Sequence, residues 1–281
     1  MDAEKLFGLD RSRCVKCALC LKDCFFGALR AGEDGYPAMV EAGKCMRCQH
    51  CLAICPKGAI SFAGKRSDDS PNLKDAELPG AQAMENFIRA RRSTRRYLDE
   101  DVDRLTLERI LKTLGNSPTG CNARSLKFTC FPTRKSMDAF REKFLRVVEA
   151  HRDGSKLLPR WLAAPAIQMR NGKGDVFFRN APGMLIVSSD ETAPGVTTPH
   201  EDVVIACAQF ELLAQAHGLG TCWCGFLKLV QNEIPELLVE ILGFKPSTPF
   251  YAMLFGRPAV NYQRGVQRDD EATVEWVGEL Q

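Results

Sequence analysis

Cysteine spacing is the feature that most restricts what this chain can fold into. Eight of its thirteen cysteines lie between residues 14 and 55, in two runs that share the pattern C-x2-C-x2-C-x3-C. The first run contains Cys14, Cys17, Cys20 and Cys24, and the second contains Cys45, Cys48, Cys51 and Cys55. A proline follows the second run, and similar tails, Gly-Ala-Leu and Gly-Ala-Ile, follow the two runs at residues 27–29 and 58–60. One short unit has therefore been duplicated.

The repeated pattern favours an iron–sulfur site. Three thiolates at this spacing can hold one face of a cubane cluster, while a fourth must come from elsewhere in the chain. Zinc is the alternative, but zinc sites favour two C-x2-C pairs over two runs of four. The odd cysteine total, and a start at Met1–Lys5 without the apolar core of a secretory signal, argue against a secreted disulfide framework. We expect a cytoplasmic protein that works with little oxygen.

Residues 1–63 resemble a bacterial ferredoxin with two [4Fe–4S] clusters. In such ferredoxins the fourth cysteine of each run ligates the other cluster. Phe25 stands where the first run of that family usually has its proline. His50, between two ligand positions, has no ligand role there and is expected to be solvated or to lie beside a ligand. The resemblance implies one cluster on Cys14, Cys17, Cys20 and Cys55, and a second on Cys45, Cys48, Cys51 and Cys24.

The rest of the chain is predicted to hold a linker at 64–80 and a second domain over 81–281. Turn-forming residues replace large apolar ones in the linker. Hydrophobic residues make up 45% of the chain and charged residues 26%, which is typical of globular proteins. No apolar run approaches the roughly 18 residues of a membrane span. A net charge of +3 is too balanced to argue for nucleic acid.

An arginine-rich run opens the second domain, with five arginines within residues 89–96. A solvated basic face, a nucleic-acid contact and a phosphate clamp are the three interpretations, the last because arginine forks match phosphate oxygens. Nucleic acid would need a longer basic surface with stacking aromatics. The residues alone leave the solvated face and the phosphate clamp open.

Further landmarks follow in order along the second domain. Residues 203–216 form a long, nearly all-round apolar helical pattern, as expected in a core or a dimer interface. The other landmarks are a helical stripe at 105–114, a turn-rich run at 116–125 and strand-like runs at 126–131, 184–187 and 251–255.

These landmarks resemble the FMN-dependent nitroreductase family over residues 83–281. Arg-Arg-Ser-x-Arg, Pro-Ser/Thr-x-x-Asn, Gly-Leu-Gly-Thr-Cys-Trp and a closing Gly-x-Pro occur in that family's order. Arg124-Ser125-Leu126 stands where much of the family has Gln-Pro-Trp, so those contacts are not carried over. The resemblance implies that FMN is bound by Arg91, Arg92, Ser93, Arg95, Pro118, Thr119, Asn122, Cys224, Gly225, Phe226 and Arg268.

Other segments receive plainer interpretations. Residues 151–154 and 168–175 are predicted to be mobile loops that could cover the substrate face of the flavin. His200 and Glu201 are expected to cap or pack a loop, or else to contact the flavin edge, and His217 to cap the preceding helix. The remaining cysteines are expected in buried strands, for Cys222 and Cys224, or in or near the core, for Cys121, Cys130 and Cys207. No catalytic nucleophile is required, because flavin chemistry belongs to the cofactor.

Together these expectations describe an α+β chain. A small two-cluster ferredoxin-like domain precedes a nitroreductase-like three-layer α/β/α flavin domain, and the resemblance implies a homodimer. Electrons are expected to pass from the clusters to FMN and on to a nitroaromatic or quinone-like acceptor, with a low-potential protein as a possible donor. The alternatives are a non-catalytic electron carrier or redox sensor, or reverse flow from a nicotinamide through FMN to the clusters. No nucleic acid or membrane partner is expected.

Overall fold

The computed structural model describes residues 6–153, 158–268 and 271–278, which separate into two compact units. Unit 1 contains Met1–Pro79 with Cys121–Ala123, and unit 2 contains Gly80–Gly120 with Arg124–Gln281. Residues 1–5 and Gly154, for which expectations were stated above, lie outside the described residues. Among the helices in the described ranges, none has both the length and the apolarity to cross a membrane.

Unit 1 is built from short elements around a small core. Its first strand pairs antiparallel with its fourth, the fourth pairs with the fifth, and the second and third form a separate hairpin. Its buried core consists of Leu6, Phe7, Cys20, Leu29, Leu52, Ile60 and Phe62. The elements are β1 (Phe7–Leu9), α1 (Leu19–Lys22), β2 (Leu29–Ala31), β3 (Pro37–Met39), α2 (His50–Ile54), β4 (Ile60–Phe62) and β5 (Lys65–Arg66).

The ordered part of unit 1 continues past the predicted boundary at residue 63. Ala63 and Gly64 have φ angles of 47° and 79° and connect Phe62 to its partner Lys65. Two consecutive positive φ angles are typical of the tight turns that join two-residue hairpins. The predicted linker 64–80 therefore begins with a strand, and only its later residues lack helix and strand.

Side-chain hydrogen bonds hold residues 65–69 against the rest of unit 1. The guanidinium of Arg13 donates two hydrogen bonds to the carboxylate of Asp68, of 2.8 and 2.9 Å. The Ser67 hydroxyl donates to the carbonyl of Ile60 over 2.8 Å. Both contacts fold residues 65–69 back onto the cysteine-containing loops of unit 1.

Unit 2 is built on a four-stranded sheet with strand order β6-β7-β9-β8, in which all neighbours are antiparallel. Its elements are α3 (Ala81–Ala90), α4 (Arg104–Leu114), β6 (Leu126–Phe131), α5 (Arg134–Asp153), α6 (Arg160–Arg170), β7 (Gly183–Ser189), α7 (Pro199–Ala216), β8 (Gly220–Trp223), α8 (Gly225–Glu233), α9 (Pro235–Leu242) and β9 (Phe250–Gly256).

Alternation along the central strands separates two helical layers. Successive side chains of a strand point to opposite faces of the sheet. On β7, Met184 and Ile186 pack with helices α5, α6, α8 and α9, whereas Leu185 and Val187 pack with α4 and α7. Every residue of β7 is buried, as expected for a strand covered on both faces. The predicted three-layer α/β/α arrangement is confirmed.

Helix α7 only partly matches the all-round apolar pattern. Val203 and Phe210 are on its buried side, but Val204 and Ile205 are 45% and 40% exposed in this chain. The C-cap of α7 is His217, as predicted. His200 and Glu201 lie in its first turn.

The first predicted loop is helical over its described residues and the second begins inside a helix, so the prediction was wrong for those parts. Residues 151–153 complete α5, and residues 168–170 complete α6. The guanidinium of Arg170 pairs with Glu142 at 2.7 Å and with Glu149 at 2.9 Å, which ties the two helices together. Residues 171–175 have neither helix nor strand, which agrees with the remainder of the second predicted loop.

Candidate functional site

The structure gathers the eight repeated cysteines into two groups, each around its own cavity in unit 1. The larger cavity has a volume of about 230 Å³. Each group takes three cysteines from one run and the fourth from the other. The first cavity is lined by Cys24, Cys45, Cys48 and Cys51, and the second by Cys14, Cys17, Cys20 and Cys55.

Backbone geometry is repeated along with the cysteines. In both runs, the residues on either side of the second cysteine have left-handed backbone. Lys16 and Ala18 have φ angles of 52° and 59°, and Arg47 and Gln49 have φ angles of 54° and 63°. Left-handed backbone costs a non-glycine residue about 1–2 kcal/mol. Such turns direct successive N–H groups into a concavity that suits an anion. A cluster with four thiolate ligands is anionic, so both loops fit one.

The thiols of these groups differ in their surroundings. Burial raises the pKa of the Cys51 thiol to about 12, so the free thiol is neutral near pH 7. Metal binding therefore releases its proton, because the thiolate is the ligand. The N–H of Ala59 donates to the sulfur of Cys55 over 3.3 Å, and such bonds tune the potential of a cluster. His50 is solvated, with its Nδ1 3.2 Å from the carboxylate of Asp23.

Unit 2 has a cavity of about 460 Å³ beside the start of α8. Because Cys224 is the N-cap of this helix, the cavity adjoins a helix N-terminus, which carries partial positive charge. Its walls combine aromatic rings with two arginines. They include Arg95, Trp161, Phe177, Arg179, Cys222, Trp223, Cys224, Gly225 and Phe226.

Two glycines bring the arginine-rich segment against β8. Gly218 has a φ of 73° immediately after the C-cap of α7, the conformation for which glycine is favoured. At Gly220 a Cβ atom would lie 2.2 Å from the hydroxyl oxygen of Thr94, so only glycine permits this approach. The N–H of Thr94 then donates to the carbonyl of Thr221 over 2.8 Å. This contact places the neighbouring Arg95 at the cavity.

The remaining arginines of the motif face other partners. The guanidinium of Arg91 lies 3.3 Å from the carboxylate of Glu211, whose side chain is 10% exposed. Arg92 donates to the carbonyl of Arg91 and lines a separate cavity of about 280 Å³. Ser93 forms a backbone bridge with Thr221.

The other predicted FMN residues divide into two groups. Cys224, Gly225 and Phe226 line the unit 2 cavity, whereas Pro118, Thr119, Asn122 and Arg268 do not. The Thr119 hydroxyl accepts the N–H of Arg124 over 3.0 Å. Asn122 belongs to unit 1, where its amide donates to the carbonyl of Met46 over 2.8 Å. Arg268 lies 4.0 Å from Glu271 and is exposed.

Several cavity residues had no motif to indicate them, among them Trp161, Phe177 and Arg179. The ring of Phe177 stacks on that of Phe226 with centroids 4.0 Å apart. Trp161 meets the same ring edge to face at 5.8 Å. These contacts join residues from different elements, which periodicity and spacing cannot reveal. The only available signal was the aromatic content of residues 161–178.

The cysteines of unit 2 are unsuited to nucleophilic chemistry. Burial raises the pKa of both the Cys207 and the Cys224 thiol to about 12. Cys130 is partly buried, and burial raises its pKa to about 11. Cys121, grouped with unit 1, is exposed, so its expected place in or near the core was wrong. Its φ of 51° lies within a 3₁₀ turn at the surface.

Comparison with known families and structures now adds independent evidence. Residues 88–257, well over half of the chain, match the nitroreductase family. The chain belongs to the nitroreductase family. Residues 13–60 of the same chain match the 4Fe-4S dicluster domain. The search of curated proteins finds no match.

Solved structures support the fold of the nitroreductase unit. A nitroreductase with bound FMN from Bacteroides fragilis is 20% identical, with a TM-score of 0.51, covering 68% of this chain and 98% of the other. An FMN-dependent nitroreductase from Clostridium difficile is also 20% identical, with a TM-score of 0.50, covering 69% and 99%. The matched family segment of this nitroreductase contains the whole four-stranded sheet and the cavity beside α8.

Proposed function

We propose that this nitroreductase is an iron–sulfur flavoprotein that accepts single electrons on two [4Fe–4S] clusters, collects them on FMN and reduces a nitroaromatic or quinone-like acceptor. The observation that carries the proposal is the presence, on one chain, of two complete cysteine quartets and a separate cation-lined cavity in the nitroreductase unit. Neither feature alone requires the other. Their combination is what a converter between one-electron and two-electron chemistry needs.

The two quartets fit one cubane each. Every quartet supplies four thiols around a cavity, and its loops present left-handed backbone on both sides of a cysteine. We assign one cluster to Cys14, Cys17, Cys20 and Cys55, and the other to Cys24, Cys45, Cys48 and Cys51. The chemistry of an iron–sulfur cluster also suits the reducing conditions of the cytoplasm.

The cavity of unit 2 fits FMN in shape and charge. Aromatic rings of Trp161, Phe177 and Phe226 provide apolar walls for a flat ring system. Arg95 and the N-terminus of α8 provide positive charge for an anionic group. When bound there, FMN supplies the exchange between single electrons and electron pairs. The protein binds and orients the ring, leaves one face open to the acceptor and excludes bulk water from the apolar wall.

A homodimer is part of the proposal. Pro118 and Thr119, expected at the flavin from the family motif, do not line the cavity of their own chain. Val204 and Ile205 leave an apolar strip exposed on α7. A second copy that covers this strip and brings its own motif residues to the cavity accounts for both observations.

The electron path can be tested with the full-length chain. In the double variant Cys17→Ser, Cys48→Ser each cluster loses one ligand. We expect reduction of bound FMN by a separate reduced ferredoxin to slow at least tenfold, while reduction by dithionite continues. Cys121→Ser, which changes a cysteine outside both quartets, is the matched control. Equal rates with the protein donor in all three proteins would show that the clusters are not the entry path, and would favour a carrier role or reverse flow.

A further inference from the structure

A short turn in unit 2 is anchored by a buried ion pair. The Asp175 carboxylate accepts the N–H of Phe178 at 2.7 Å and the N–H of Asn180 at 3.1 Å. It also accepts from Nε of Arg141 at 2.8 Å, and Arg141 donates in addition to the carbonyl of Ala181 at 2.7 Å. The side chains of Arg141 and Asp175 are 10% and 3% exposed. Both ends of the turn are therefore held from inside the protein.

The anchored turn presents one arginine in an unusual conformation. Arg179 and Asn180 have φ angles of 55° and 52°, so two successive non-glycine residues are left-handed. Residues in such conformations persist only where the surroundings fix them, and they concentrate at functional positions. Here the fixed turn brings Arg179 to the same cavity as Arg95.

Arg95 and Arg179 line the same cavity, and no described residue there supplies a negative charge to balance them. Over the described ranges of the chain, neither guanidinium has a hydrogen bond or ion pair, and no carboxylate lines this cavity. Burial raises the pKa of the Cys222 thiol, and the charges of Arg95 and Arg179 both oppose that rise, as expected if both lie near it. Two neighbouring cations at a partly apolar wall call for an anionic ligand.

We propose that Arg179 binds the anionic part of FMN together with Arg95. The inference rests on the proposed function and adds a residue that no family motif contains. FMN offers two oxygen-rich groups of this kind: its phosphate, which is always charged, and the pyrimidine edge of the ring, which gains negative charge on reduction. A guanidinium fork can bind either one, and the two possibilities give different measurements.

The test uses flavin-stripped, full-length protein and the variants Arg179→Gln and Arg179→Lys. We expect Arg179→Gln to weaken flavin binding about 10- to 100-fold, in both redox states for a phosphate contact and in the reduced state for a ring-edge contact, the effect of losing a hydrogen bond to a charged group. Arg179→Lys keeps the positive charge but not the two-pronged hydrogen bonding of a guanidinium. Its flavin affinity should therefore lie between those of Arg179→Gln and the wild type. Arg109→Gln, which changes an exposed arginine on α4 in the other helical layer, is the control.

Flavin fluorescence titrations and the midpoint potential of bound FMN separate the outcomes. Weaker binding of oxidised FMN with unchanged binding of riboflavin places Arg179 at the phosphate. Unchanged binding of both oxidised flavins with a more negative midpoint potential places it at the ring edge. Both results support the inference. Wild-type affinity and potential in Arg179→Gln would overturn it, even if the KM for the acceptor changed. If the wild type itself binds no FMN, the proposed function fails instead.

Discussion

At the scale of single residues, backbone conformation defines the cluster loops as much as the cysteines do. None of Lys16, Ala18, Arg47 and Gln49 is a residue type that favours left-handed backbone, yet they occupy the same left-handed positions in the two repeats. Side-chain patterns therefore could not predict them. Because each conformation is locally unfavourable, we expect the bound clusters, rather than local propensity, to hold these loops in place.

Replacing Cys55 tests whether each cluster takes its fourth ligand from the other cysteine run. Cys55 is the last cysteine of the second run, but it lines the cavity of Cys14, Cys17 and Cys20. We expect Cys55→Ser to damage the cluster held by the first run and to leave the other intact. Iron analysis should fall from about eight toward four irons per chain, since each cubane holds four.

Electron paramagnetic resonance of the reduced protein identifies the surviving cluster. Cys24→Ser is the matched variant, because it removes the fourth ligand of the other cavity. The two variants should lose different signals. Loss of the same signal in both, or zinc in place of iron, would contradict the crossed arrangement.

Some of these residues could be predicted from the sequence, and others could not. The two cysteine runs were visible in the spacing of the chain itself, while the crossed quartets were implied by the resemblance to two-cluster ferredoxins. Arg95 was predictable because it lies in a motif. Arg179 was not, since only the turn held by Asp175 and Arg141 brings it to the cavity. Likewise, Arg91 was expected at the flavin, but its partner within the chain is Glu211, more than a hundred residues away.

At the scale of elements, the approach of β8 to the arginine-rich segment sets the shape of the cavity beside α8. The sheet needs Gly220 at this point because the side chain of Thr94 occupies the space of a Cβ atom. Strands β7 and β9, which are almost entirely buried, were visible in the sequence as apolar runs. The helices at 134–153 and 160–170 were not predicted, and their ends were expected to be loops; the ion pairs of Arg170 that join them link residues far apart in the sequence.

Gly220→Ala should separate the arginine-rich segment from β8. We expect overpacking to lower the free energy of unfolding by about 1–3 kcal/mol. FMN affinity should fall with it, because Arg95 follows Thr94 directly. Thermal melts and flavin titrations measure the two effects.

Gly278→Ala is the control for this change. A Cβ atom there meets nothing within 4 Å, and the residue has no left-handed φ and caps no helix, so neither stability nor affinity should change by much. An unchanged melting temperature in Gly220→Ala would mean that Thr94 moves aside at little cost. The close approach would then not be what positions the segment.

At the scale of the whole molecule, the two units differ in how they are stabilised. Among the described residues, the core of unit 1 has seven buried apolar side chains, while unit 2 has clusters of 22 and 14. A core as small as that of unit 1 supplies little net stability, so metal–thiolate bonds must contribute much of it.

Removing iron should therefore unfold unit 1 selectively. After treatment with a chelator and oxidant, we expect unit 1 to become susceptible to proteolysis while unit 2 keeps its sheet and its FMN. Limited proteolysis, followed by mass spectrometry and flavin fluorescence, checks both halves of this expectation. The untreated protein is the control. Equal resistance of unit 1 with and without iron would show that its few apolar contacts suffice.

The buried pair of Arg141 and Asp175 has a consequence for the conditions under which the protein can work. Dissolved ions screen charges at a protein surface within about 10 Å at 0.1 M ionic strength, but they do not enter a packed interior. An exposed pair such as Arg104 and Glu108 weakens as salt is added, whereas the anchor of the 175–181 turn does not. The part of the cavity wall formed by this turn should therefore keep its shape at high salt concentration as well as in dilute buffer. Any loss of flavin at high salt would then come from competition at the arginines themselves.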